Sequence, residues 1–248
     1  MNKDFNINHD LLIRLLQRTK DVNFETSNYQ QCITVSFYAR LVSSSNAILL
    51  LIDDAYNACI LVSHMIEALI QLIWMQEQED RIKQYIDFGV VEQLDSLNIY
   101  PENREKIIKY IKEHRVQRLL KKEFLDKSIT DKIILNAKNY HKFWYNPDAN
   151  SIKTIADKLI KNENHGEADN LYHMYKRFCS YKHCSPYVML PRNSTKFKPE
   201  VPDAFLAITV AFQCLYICCL LVNKYQSAPV NLDDITEEYE SVLEIKHS

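Results

Sequence analysis

The chain has 248 residues, of which 47% are hydrophobic and 25% charged, and its formal net charge is −2. That balance supports a folded core and excludes wholesale disorder. Only two glycines occur, Gly89 and Gly166, where average usage of about 7% predicts roughly seventeen. With the two so far apart, no dinucleotide fingerprint, P-loop or nucleophile elbow can be written, and tight hairpins are disfavoured, so the expectation is an all-α protein.

The periodicity is helical nearly throughout. A first amphipathic segment runs from Asp10 to Lys20, followed by two long apolar segments at Tyr29–Ile52 and Asp53–Gln78. Glu79–Leu97 continues as helix, and Pro101 opens the next one at a favourable first position, running to Phe124. Shorter helices are expected at Thr130–His141 and Ser151–Lys161, with a turn at Tyr145-Asn-Pro-Asp between them, and another helix at Glu167–His183. Four of the seven prolines, Pro186, Pro191, Pro199 and Pro202, fall in Cys184–Asp203, which reads as a long proline-rich loop. Ala204–Val222 is apolar apart from Thr209 and Gln213. It is long enough to span a membrane, but it is diluted by Ala, Cys and Thr and lacks flanking charge clusters, so it is read as a buried helix. The whole is one helical-bundle-like domain over 1–248, with its core at about 29–225 and an acidic tail at 229–248.

Charge is unevenly placed. Arg104–Lys142 holds twelve Lys/Arg against five Asp/Glu, and the segment from Pro229 onward holds six acids against one lysine. Arg104, Lys112, Arg115, Arg118 and Lys122 are the candidate nucleic-acid contacts, against the plainer reading of a solvated helix face. The acidic tail either shields that stretch or aids solubility. Seven cysteines without a C-x-x-C pair, and a polar N-terminus without a signal sequence, point to reduced, buried thiols and a cytoplasmic protein. Asn193-Ser-Thr is a sequon that a cytoplasmic chain leaves unused.

Two constellations could carry chemistry. On the Asp53–Gln78 helix, Asp53, Asn57, His64, Glu67 and Gln71 fall within a strip about 80° wide, narrower than an ordinary solvent face. It is either a thin exposed edge or a seam on a cleft. In the second case His64 and Glu67 form an acid–base pair, with the carboxylate raising the imidazole pKa. A di-iron site needs further Glu-x-x-His repeats, and no metal or cofactor is expected. In the second constellation Tyr172, Tyr175, Cys179 and His183 share one face, and Arg177 and His183 form Arg-x5-His. Six helical steps put those two side chains about 120° apart, so they meet only if the helix breaks before His183 or a second chain supplies one of them.

The Arg177/His183 spacing falls within the Arg-x4–6-His signature of HEPN ribonucleases. That resemblance implies an arginine and a histidine that assist metal-independent RNA cleavage, often across a homodimer. Over Asp53–Pro186 the chain also resembles an uncharacterised family of bacterial helical proteins, a domain of unknown function. The resemblance rests on Ser63-His-Met-Ile-Glu67, Trp144-Tyr-Asn-Pro, and Tyr172, Tyr175, Ser180 and His183. It implies a fold and a candidate site without a reaction; Trp144, Tyr172, Tyr175 and Ser180 are the candidate ligand contacts, and the expectation is that the His64/Glu67 seam faces the Tyr172/Tyr175/His183 stripe with Trp144 at its edge. Two positions depart from the pattern: His64 replaces an arginine, and Asn146 replaces a glycine after Trp144. Two readings stay open. One is a HEPN-like endoribonuclease or toxin of antiviral defence acting on RNA, and the other is a non-catalytic module that binds a small ligand or a partner protein encoded nearby.

Overall fold

The computed structural model describes residues 3–20, 24, 26–98, 101–125, 128–161, 167–183, 201–226 and 229–247. Among them the protein is all-α. The long helices are α1 (Lys3–Arg18), α2 (Tyr29–Leu50), α3 (Ala55–Gln76), α4 (Glu79–Gln93), α5 (Arg104–Glu113), α8 (Ile152–Lys161), α9 (Glu167–Lys182), α10 (Val201–Asn223) and α11 (Asp233–His247). The short α6 (Lys122–Leu125) and α7 (Asp131–Ile134) lie between α5 and α8, with one 3-10 turn before α6 and another after α7. The expected proline-rich loop with Pro186, Pro191 and Pro199, and the sequon at Asn193, lie outside the described residues.

Two compact units form, one from 1–72 with 156–248 and one from 73–155. In the first, α10 packs on α2 and α1, and α1 also packs on α2 and α11. Phe212, Leu215, Cys218, Cys219 and Val222 of α10 are fully buried, as are Val62, Ile66 and Leu69 of α3. Each such large apolar side chain contributes about 1.5–3 kcal/mol on burial. The core begins earlier than residue 29. Leu11, Leu12, Leu15 and Leu16 lie one helical turn apart in pairs, and α1 buries all four. By length and composition α2, α3 and α10 could each cross a membrane; α3 and α10 are mostly buried inside the protein, whereas α2 is 28% buried.

The acidic tail is not a tail among the described residues. It folds as α11, because Ile235 and Tyr239 are one turn apart and give the acidic helix an apolar edge. Tyr239 packs edge-on against Phe212 at 5.1 Å and accepts a hydrogen bond from Gln213 (2.7 Å). The acids serve α1: Arg18 binds both oxygens of Asp234 at 2.6 Å, and Arg14 reaches Asp234 (2.8 Å) and Glu238.

In the second unit the helix expected from Pro101 to Phe124 is broken. Pro101–Asn103 is a 3-10 turn, α5 ends at Glu113, and Val116–Leu119 is again 3-10. The cause lies in the apolar phase. Ile107 and Ile111 share a face, but a continuous helix would put Val116 and Leu120 on the opposite face, about 180° from Ile107. Breaking at Arg115, which takes a left-handed φ of 55°, buries all four. The expected Thr130–His141 helix is likewise split into α7 and the 3-10 turn Ala137–Asn139, followed by an antiparallel bridge between Leu120 and Tyr140. The turn at Tyr145–Asp148 forms where expected, with a cis Asn146–Pro147 peptide.

Candidate functional site

Helix α9 carries the site residues of the first unit. It continues without a break to its end, and the His183 N–H still donates to the Cys179 carbonyl at 3.1 Å. Arg177 and His183 are both exposed, and within one chain they diverge as regular helix geometry requires. Arg177 is not idle: its Nη2 donates to Asp203 Oδ1 of α10 at 2.6 Å. Tyr181 donates its hydroxyl to the other carboxylate oxygen of Asp203. From α3, Tyr56 donates to the Tyr181 carbonyl (2.9 Å) and its ring meets the Tyr181 ring edge-on at 5.9 Å. The Cys59 thiol reaches the Asp203 carbonyl at 3.7 Å. Burial and the carboxylate of Asp203 push the Tyr181 phenol well above its ordinary range, and burial lifts Cys59 to about 12. Both therefore act at neutral pH as protonated donors, and Cys59 is no nucleophile. Arg177, Tyr181, Tyr56 and Asp203 form one clasp between α3, α9 and α10.

Sequence reasoning misses Asp203, Tyr181 and Tyr56. It places Asp203 at the end of the proline-rich loop, yet the residue stands in the first turn of α10. An acid there, just after Pro202, is a helix-start signal that points to it.

The seam on α3 and helix α9 influence each other through charge. His64 feels the charges of Glu67, of Lys182 on α9 and of Arg40 on α2, and Cys179 feels those of Glu67 and Lys182. Glu67 raises the His64 imidazole as expected, but the net shift is downward. Burial lowers the imidazole pKa, and the cations Lys182 and Arg40 add to that against the single opposing carboxylate of Glu67. The shift favours the neutral imidazole. Tyr175 donates to the Cys179 sulfur, and burial nonetheless raises that thiol. The rings of Tyr172 and Tyr175 lie 6.2 Å apart, tilted, and both are half-buried, as is Ser180. Among the described residues no group of His, Cys, Asp and Glu gathers in a way that could hold a metal ion. Among them, too, six cysteines are free; Cys59, Cys214, Cys218 and Cys219 are buried as expected, and Cys32 on α2 is exposed.

Trp144 belongs to the second unit. It is 6% exposed and packs edge-on against Tyr85 at 5.4 Å, and its carbonyl accepts from Gln84. The basic stretch of this unit divides by role. Arg118 donates to the buried carboxylate of Asp87 at 2.6 Å, which Lys83 also binds at 2.7 Å, and it bonds the His114 and Arg115 carbonyls that end α5. Arg118 thereby has a role in holding the fold. Lys112 pairs with Asp131 at 2.8 Å. Arg104, Arg115 and Lys122 are exposed.

Residues 31–198 match the model of a family of unknown function, DUF5677. The match covers more than half of the chain, and the protein belongs to that family. No curated protein and no solved structure matches the chain.

Proposed function

We propose that the protein is a metal-independent endoribonuclease of HEPN type, acting as a toxin in antiviral defence, with Arg177 and His183 as its reacting pair. The observation that carries this reading is that both side chains stand exposed, Arg177 in α9 and His183 just past its end, with the guanidinium fixed in direction by Asp203. Because α9 runs unbroken to its end, the pair is completed between two copies of the chain: Arg177 of one faces His183 of the other. His183 takes the proton of a ribose 2′-hydroxyl as that oxygen attacks phosphorus. The bond from phosphorus to the 5′-oxygen breaks, and the departing oxygen takes a proton from solvent, leaving a 2′,3′-cyclic phosphate. Arg177 stabilises the added charge on the phosphorane.

The test is incubation of purified protein with total RNA in EDTA beside Arg177→Ala and His183→Ala. Cleavage by the wild type alone, with cyclic phosphate ends, supports the reading; intact RNA in all three overturns it. Growth arrest on expression, abolished in His183→Ala, is the matching result in cells.

One observation favours the second reading, a non-catalytic module for a small ligand or a partner protein. The Arg177–Asp203 pair is part of a clasp that ties three helices together, which is a sufficient use for that arginine. In that case Arg177→Ala lowers the melting temperature, no variant or wild-type protein cuts RNA, and one stoichiometric partner is recovered on affinity capture.

A further inference from the structure

The second unit brings separate basic segments to one place. The Lys121 N–H donates to the Asn139 carbonyl (2.9 Å) and the His141 N–H to the Leu119 carbonyl (3.2 Å), the ladder of the Leu120–Tyr140 bridge. The Lys121 Nζ crosses over to the Lys138 carbonyl at 2.6 Å. Lys122, Lys138 and Lys142 are thereby collected on neighbouring stretches of backbone, and all three are exposed. From Arg115 to Phe143 the sequence holds eight Lys/Arg and three Asp/Glu, and one of those acids, Asp131, is taken up by Lys112.

Next to Lys142 in the chain stands Phe143, one of the few exposed large apolar side chains among the described residues, at 37%. Its ring stacks on Tyr145 at 5.1 Å and 15°, and the Lys142 Nζ lies 5.1 Å from its centroid. The loop cannot easily fold the ring away. The Phe143 N–H donates to Asn146 Oδ1 (3.1 Å), the Asn146 N–H donates to the Phe143 carbonyl (3.1 Å), and the Asn146 amide donates to the Ala149 carbonyl (2.6 Å). Gln84 grips the Asn146 carbonyl at 2.8 Å, and Trp144 and Tyr145 are buried as the anchor. A partly exposed aromatic held rigidly at the end of a basic stretch is the combination that binds single strands: the ring stacks on any base, and the ammonium groups take the phosphates. Rigid presentation means that little ordering cost is left for the moment of binding.

We propose that this surface is a single-stranded RNA platform, with Phe143 as the stacking ring and Lys122, Lys138 and Lys142 as phosphate contacts. It deepens the ribonuclease reading by naming where the strand is held, and it rests on that reading only for the choice of RNA as ligand.

The experiment is fluorescence anisotropy of a labelled 2′-O-methyl oligouridylate, which lacks the attacking hydroxyl and cannot be cut, in EDTA at low salt on the wild type and on the variants below. Phe143→Leu is expected to bind about tenfold more weakly, and Phe143→Tyr to bind as the wild type does. Lys138→Gln with Lys142→Gln is expected to flatten the log–log salt dependence by about 1.4, because each neutralised phosphate of a single strand adds about 0.7 to that slope. If Phe143→Leu melts early, the tyrosine and lysine variants still decide the matter. Absence of binding by the wild type, unchanged binding by Phe143→Leu together with the lysine variant, or binding to phosphatidylserine vesicles in place of RNA overturns the platform. Binding that depends on Phe143 and Lys142, without any cleavage of total RNA, upholds the platform and fails the ribonuclease chemistry alone.

Discussion

Arg118 and Arg115 are both basic, and only three positions apart, yet physics assigns them different work. Asp87 has a side chain only 2% exposed, and Arg118 and Lys83 are its counter-charges. Arg118→Ala should therefore cost about 1–3 kcal/mol in urea unfolding, because it leaves a buried carboxylate poorly paired. A variant at exposed Lys122 should cost nothing measurable. Arg115 occupies a left-handed conformation that an L side chain resists. Arg115→Gly should raise stability by about 0.5–1 kcal/mol, read by the same unfolding curve. His64 gives a pH signature. Its folded pKa lies below the unfolded value, so its contribution is complete above about pH 6.5 and is lost as pH falls from there through the folded pKa. Replacing His64 with Gln should flatten the stability–pH curve in that window, and an unchanged curve would show that the neutral imidazole is not what the fold favours.

At the scale of elements, the segments legible in the sequence are those whose apolar pattern has one period and no interruption. The α3 and α10 helices follow from long apolar runs, and their bounds fall within a few residues of expectation. The α5 break is written in the sequence too, as a phase slip between Ile107/Ile111 and Val116/Leu120, but reading it requires asking whether a single helix can bury both sets. The α11 helix is hidden because six acids dominate the composition while Ile235 and Tyr239 supply the edge that docks. The clasp is hidden for a different reason. Arg177 and Asp203 are 26 residues apart, and no local pattern announces such a contact. Helix α11 should also be acid-sensitive. The guanidinium groups of Arg18 and Arg14 hold the Asp234 carboxyl down at about 2, so its docking is complete above about pH 4 and lost as pH falls toward 2. Backbone amide exchange in 235–241, compared at pH 5 and pH 2.5 after correction for intrinsic rates, reads this directly. Within α4, Gly89 sits mid-helix with nothing within 4 Å of where a Cβ would stand, so Gly89→Ala should stabilise by about 0.5–1 kcal/mol.

At the scale of the molecule, the functional reading divides between the two units. The first holds the proposed Arg177/His183 pair at the end of α9 and the polar seam of α3, and the second holds the cations and the exposed ring. What reads in the sequence as one basic helix reduces to a smaller set once Arg118 and Lys112 are seen paired, and Phe143 and Lys142 replace them as the candidates worth changing. The family membership covers most of α2 through the end of α9, so both the seam and the aromatic loop fall inside the shared region, while Asp203 of the clasp falls beyond it.

That placement gives the clasp a direction. Asp203 sits in the first turn of α10, where the helix macrodipole favours a negative charge, and its second oxygen accepts from Tyr181. Exchanging the charges, Arg177→Asp with Asp203→Arg, would restore an ion pair on paper. It would also put a cation on the positive end of α10 and leave the Tyr181 hydroxyl facing a group that cannot accept a hydrogen bond. The double variant should therefore recover little of the stability that the two single variants give up, as a double-mutant cycle in urea would read. An interaction that looks symmetric as a distance between two charges is, in this fold, a one-way fitting.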